Sequence, residues 1–149
     1  MIEQIDNALE SMGQRRILFI IGDHLSGKTR LVKDYLFHRF GQDADSYYVD
    51  VGLFIKSKIT DEHVDLYRIY PTEFVGDADV FFKQLIKEKY QDKDLIVLDH
   101  MEFLLSEKYV GWIKILDKIT VKNKTAIIVV PSEYEKSLPL FAYKYLKVD

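Results

Sequence analysis

Cysteine is absent from the chain, which excludes disulfides, thiolate metal sites and cysteine nucleophiles. Arginine is confined to the first half. All five arginines (Arg15, Arg16, Arg30, Arg39 and Arg68) precede position 69, and the C-terminal third relies on lysine. No apolar run approaches membrane-spanning length. An excess of positive charge is missing too: net charge is −3, so no global basic field favours nucleic acid or an anionic membrane. The opening Met-Ile-Glu-Gln-Ile-Asp has no basic segment followed by an apolar stretch. No signal peptide is therefore expected, and the expected location is cytoplasmic.

What is present suits one globular domain. The 149 residues are 48% apolar and 30% charged, enough for a proper core and too few for two domains. Residues 2 to 12 place Ile2, Ile5, Ala8, Leu9 and Met12 at helical spacing with Glu3, Asn7 and Glu10 between them. We expect this N-terminal helix (within residues 1–14) to pack on a single 1–149 domain and cover a sheet edge, with the lining of an adenine pocket as the alternative by fold analogy.

The chain is organised around residues 17–30. Ile17 to Ile21 are five apolar residues, too few for a helix and suited to a strand buried on both faces. Gly22-Asp23-His24-Leu25-Ser26-Gly27-Lys28-Thr29 then matches the Walker A pattern G-x-x-x-x-G-K-[ST] at every required position. A helix pattern follows, with Leu31, Val32, Tyr35 and Leu36 on one face. Strand, glycine-bounded loop and helix together predict a nucleoside triphosphate site made by Gly22 to Arg30. The glycines let backbone N–H groups close on phosphate oxygens, and the helix beginning near Gly27 adds its positive end. Lys28 reaches the β- and γ-phosphates as a catalytic cation, and Thr29 offers its hydroxyl to Mg²⁺.

Downstream, Gly41 to Asp45 reads as a turn, Ser46 to Val51 as a strand ended by Gly52, and residues 53–70 are hard to read. Asp50 lies near that strand's carboxyl end. It reads as a solvated carboxylate, with orientation of a water or a sugar hydroxyl as the alternative. Thr60 is expected to cap a helix whose first turn is Asp61-Glu62-His63, and Tyr67 to Tyr70 is expected to be extended before Pro71. His38 and His63 lack partners at metal-ligand spacing and read as surface or structural residues. Asp77 to Tyr90 is a clear amphipathic helix.

Asp94-Leu95-Ile96-Val97-Leu98-Asp99 is the second chemical landmark: four apolar residues ending in an acid. A buried strand with a carboxylate at its tip, about 70 residues after the lysine, fits a Walker B aspartate. Asp99 is accordingly assigned to Mg²⁺ together with Thr29. His100, not glutamate, follows it, and the first acid beyond is Glu102. Glu102 as base, His100 as the group positioning a water, and a simple first-turn carboxylate at Glu102 all stay open.

Ser106 to Ile119 predicts a helix with Tyr109, Trp112, Ile113, Leu116 and Ile119 inward. Residues 124–130 form a fourth buried strand stopped by Pro131, after which Ser132 is a candidate sensor of the γ-phosphate. Leu140 to Val148 supplies a fifth strand. These alternating elements predict an α/β domain with a mainly parallel five-stranded sheet and helices on both faces. We place strand 125–130 between the loop strand and the Asp99 strand, which is the additional-strand arrangement. No Asn-Lys-x-Asp motif is present, so ATP is the default base.

Three stretches carry a resemblance: Gly22 to Thr29, Leu98-Asp99-His100-Met101-Glu102-Phe103-Leu104, and Lys122-Asn123-Lys124-Thr125 before an apolar strand. They resemble the BrxF family of small P-loop proteins from type III bacteriophage-exclusion (BREX) systems. Residues 53–75 and the C-terminal segment match that family only loosely. The resemblance implies an accessory NTPase acting with other proteins of a bacterial antiviral defence complex. It leaves open whether ATP is hydrolysed, or instead gates protein binding without appreciable turnover. A small-molecule kinase is the weaker third reading, because no arginine-rich lid is visible. A homo-oligomer is compatible with the sequence and is not specified by it.

Overall fold

A computed structural model describes residues 1–105, 111–121 and 123–148. The expected inward position of Tyr109, the start of its helix at Ser106, and Lys122 lie outside the described residues.

Three apolar runs become the centre of the sheet: β1 (Ile17–Gly22), β3 (Leu95–Asp99) and β4 (Thr125–Pro131). Every residue of β1 and β3 is buried, as both-face burial of a parallel strand demands. Two shorter strands complete the sheet, β2 (Tyr48–Asp50) and β5 (Lys144–Val148). The order is β2-β3-β4-β1-β5, with every pair parallel. β4 therefore lies between β1 and β3, as expected. This is an α/β domain of the P-loop NTPase-like, additional-strand kind.

Side-chain alternation along the strands divides the core into two layers. On one face Leu18, Ile20, Val97, Ile127 and Val129 pack with α1 (Ile2–Glu10) and α2 (Lys28–Phe40) through Ile5, Leu9, Val32 and Tyr35. On the other face Phe19, Ile96, Leu98 and Ile128 meet α3 (Val51–Lys58), α5 (Thr72–Lys89), α6 (Glu102–Leu105) and α7 (Gly111–Ile119). The expected N-terminal helix is present, shortened to nine residues.

The stretch between β2 and β3 departs most from expectation. Residues 41–47 form a 3₁₀ helix, so the second strand keeps only three of the six residues expected. Tyr47 leaves the strand because its ring stacks on Phe40, with centroids 3.7 Å apart. Gly52 does not end the strand; it lies in the first turn of α3, which Asp50 caps by accepting the Leu53 N–H at 2.9 Å. α4 (Asp61–Ile69) begins at the Thr60 cap as expected, with the His63 ring closing a capping box. Tyr67 to Ile69 are helical, contrary to the extended reading, and only Tyr70 leaves the helix ahead of Pro71. α5 starts five residues early, at Thr72, because the Phe74 ring is held edge-on by Tyr67 and Phe103. That tertiary contact outweighs the helix penalty of about 1 kcal/mol for Gly76.

Candidate functional site

The carboxyl ends of β1, β3 and β4 meet at a cavity of about 390 Å³. The loop between β1 and α2 supplies His24, Leu25, Gly27, Lys28 and Thr29 to its wall. Asp99, His100, Glu102 and Pro131 supply the opposite side. Two sequence stretches 70 residues apart thus face one space, because β3 and β1 end at the same edge of one parallel sheet.

The loop is shaped as a cradle. The Ser26 N–H donates to the Asp23 carbonyl at 3.0 Å, and Leu25 and Gly27 have φ of +63° and +87°. For Leu25 this left-handed conformation is strained, and its side chain stands 89% exposed at the loop tip. Gly22 has no room for a side chain: a Cβ there would lie 2.5 Å from Ser26 Oγ and 2.8 Å from the Val148 carbonyl oxygen. Gly22→Ala is therefore expected to lower stability by about 1–3 kcal/mol. That is a melting point lower by roughly 3–10 °C, to be read by thermal unfolding. An unchanged melting point would show that β5 moves away freely.

The Lys28 side chain is buried, and its Nζ donates to the Asp23 carbonyl at 3.0 Å. A buried ammonium held by one neutral oxygen has unused donors. Thr29 Oγ donates to Asp99 Oδ2 at 2.7 Å. This pair of hard oxygens at the foot of the cavity fits Mg²⁺, which takes one or two protein oxygens beside substrate phosphates. Ser26 Oγ is buried and, among the described residues, has no hydrogen-bond partner.

Asp99 is held by more than Thr29. Tyr48 Oη donates to the same Oδ2 at 2.7 Å, and Asp99 Oδ1 accepts the His100 N–H at 2.8 Å. Burial, aided by the Asp99 carboxylate, pushes the Tyr48 phenol far above its ordinary pKa, so it stays a donor. Sequence reading missed Tyr48. The available signal was its place two residues before Asp50 on one strand, hence on the face that Asp99 shares.

His100 has φ +58°, which turns its ring from β3 toward β2. Its Nε2 lies 4.0 Å from Asp50 Oδ2 and 3.9 Å from Asp99 Oδ2, and its Nδ1 lies 3.9 Å from Glu102 Oε1. Asp50, expected as a solvated strand end, is instead a helix cap facing this histidine. Ser132 is brought to Asp23, whose carboxylate accepts its hydroxyl; it borders a smaller neighbouring cavity and not the one holding Lys28. Arg30 is exposed and pairs with Asp34 at 3.9 Å. It lines a second cavity of about 520 Å³ that shares Gly27 with the first.

No family model matches the chain, and no curated protein sequence matches it. Among solved structures, the flagellar accessory protein FlaH from Methanocaldococcus jannaschii is similar at 18% identity, over 91% of this chain and 69% of that one. The TM-score is 0.45; the all-parallel order β2-β3-β4-β1-β5 itself defines the fold. Among the described residues, no helix is long and apolar enough to cross a membrane.

Proposed function

We propose that the chain is an ATP- and Mg²⁺-binding P-loop protein, working as an accessory ATPase among the proteins of a bacterial anti-phage complex of the BREX kind. One observation carries the nucleotide reading: Thr29 of the glycine-bounded loop donates to Asp99 at 2.7 Å in the cavity that buries Lys28. Gly22 to Gly27 surround the phosphates, Lys28 binds the β- and γ-phosphates, and Thr29 and Asp99 hold Mg²⁺. The metal, when bound, neutralises charge building on the transferred phosphate. The second cavity supports a place for the base. Its wall includes Gln4 of α1 with Ser26, Leu31 and Val148. The defence setting is supported by the resemblance of the loop and the Leu98 to Leu104 stretch.

Glu102 borders the phosphate cavity, close enough to serve as the base that takes a proton from an attacking water. A second reading, an ATP-gated binding switch with little turnover, is favoured by a different observation. Among the described residues no arginine lines the phosphate cavity, and an arginine finger is worth roughly 10³-fold or more in rate. Steady-state ATP turnover separates the two. For the ATPase, Asp99→Asn and Glu102→Gln are each expected to lower kcat by about 100-fold or more, with Glu102→Gln still binding ATP. Tight ATP–Mg²⁺ binding without turnover in the unsubstituted protein would establish the switch, and absence of binding would reject both.

A further inference from the structure

We propose that the outer face of α4 is a docking surface for a basic amphipathic helix of another protein. α4 is fastened on one side. Its Tyr67 meets Phe74 edge-on at 5.4 Å and donates from its hydroxyl to Asp77 at 2.7 Å, while His63 meets Phe81 at 6.3 Å. These contacts all run to α5, and none of the nine residues of α4 is buried. Leu66, Ile69 and the capping Tyr70 are left outside. They follow at i, i+3 and i+4 and so share one side of the helix, with Ile69 71% and Tyr70 58% exposed. Single exposed apolar side chains are ordinary, whereas a contiguous apolar stripe marks an interaction site.

The charge around the stripe identifies its occupant. Between Thr60 and Val80 six acids face one arginine, although the whole chain has 24 acids and 21 bases. Arg68 pairs with Asp65 at 3.8 Å. Glu62 lies one turn before Leu66, and Glu73 follows Tyr70, whose carbonyl accepts the Glu73 N–H at 3.0 Å. Neither glutamate has an ion-pair partner among the described residues. Such a rim repels anionic lipid and nucleic acid and attracts a protein surface that sets lysine or arginine around an apolar centre. The backbone decides the form of that surface. α4 spends its own N–H and C=O groups within the helix, so it cannot add a strand, and its i, i+3, i+4 stripe takes the ridge of a second helix.

The probe is a synthetic helix of about five turns, leucine on one face and lysine on the other, titrated into the ¹⁵N-labelled full chain. A twin peptide carries glutamate in place of lysine. Amide shifts are expected within residues 61–73 for the lysine peptide alone, with an affinity that falls as salt is raised. Ile69→Ser is expected to weaken binding about tenfold. Glu62→Gln combined with Glu73→Gln is expected to weaken it about fivefold and to flatten the salt dependence. All three side chains are exposed, so the melting point should hold in both variants. Shifts centred elsewhere, equal binding of the glutamate twin, or unchanged binding by Ile69→Ser would overturn the proposal, as would no binding at all. Shifts at the same residues on concentrating the protein alone would give the face to a second copy, and binding to phosphatidylserine vesicles would give it to a membrane; either result also overturns it. Nucleotide takes no part in the titration, so its outcome stands apart from the ATP reading.

Discussion

Replacing Lys28 by alanine is expected to weaken ATP–Mg²⁺ binding by about 100-fold, with a smaller change in stability. A charge-assisted hydrogen bond is worth about 1.5–3 kcal/mol, which is roughly one to two powers of ten in affinity. Lys28 stands at the high end because its ammonium is already buried, at 8% exposure, and is held by the Asp23 carbonyl at 3.0 Å. Its desolvation is complete before the phosphate arrives, and it braces the loop between Asp23 and the start of α2. Alanine removes both the charge and the brace. Isothermal titration with ATP and Mg²⁺ checks this, and unchanged affinity would show that the phosphates bind elsewhere. The fold should survive, since the hydrophobic layer beneath the loop (Val32, Tyr35 and Leu36) is untouched.

Trp112→Ala should do the reverse and take a large part of the stability while sparing the site. Trp112 is 1% exposed in α7 and meets Phe19 of β1 edge-on, with centroids 6.3 Å apart and planes at 85°. Phe19 is met in turn by Tyr143 at 5.7 Å. Removing a buried tryptophan costs about 3–5 kcal/mol through lost burial and the cavity left behind. Domains of this size have about 5–15 kcal/mol in total, so the denaturant midpoint should fall by roughly a fifth or more. This layer lies on the sheet face opposite α2, so ATP should still bind at low temperature. A loss below about 1 kcal/mol in denaturant titration followed by circular dichroism would show that the layer repacks.

The two substitutions also mark what was readable in advance. Lys28 belongs to a loop whose place is local: the strand, the glycine spacing and the helix follow in sequence order, so the strand–loop–helix unit was legible in consecutive residues. The central strands were equally plain, because burial on both faces turns β1, β3 and β4 into unbroken apolar runs. Residues 53–70, apart from the cap at Thr60, were not. α4 buries none of its residues, so no buried apolar stripe marks its length. Its contacts are edge and stacking contacts of His63 and Tyr67 with each other and with Phe81 and Phe74, and these are invisible without the neighbouring helix.

By itself, then, the sequence determined an α/β chain with a glycine-bounded loop between its first buried strand and the helix after it, a strand-tip aspartate and a helix cap at Thr60. Each of these is written in consecutive residues or in a single period. Tertiary structure alone decided that Tyr48 donates to Asp99, that Asp50 faces His100, and that Ser132 turns to Asp23. These are side-chain meetings between elements far apart in the chain. The register of parallel strands and the left-handed turn at His100 set them, and neither leaves a pattern in composition or spacing.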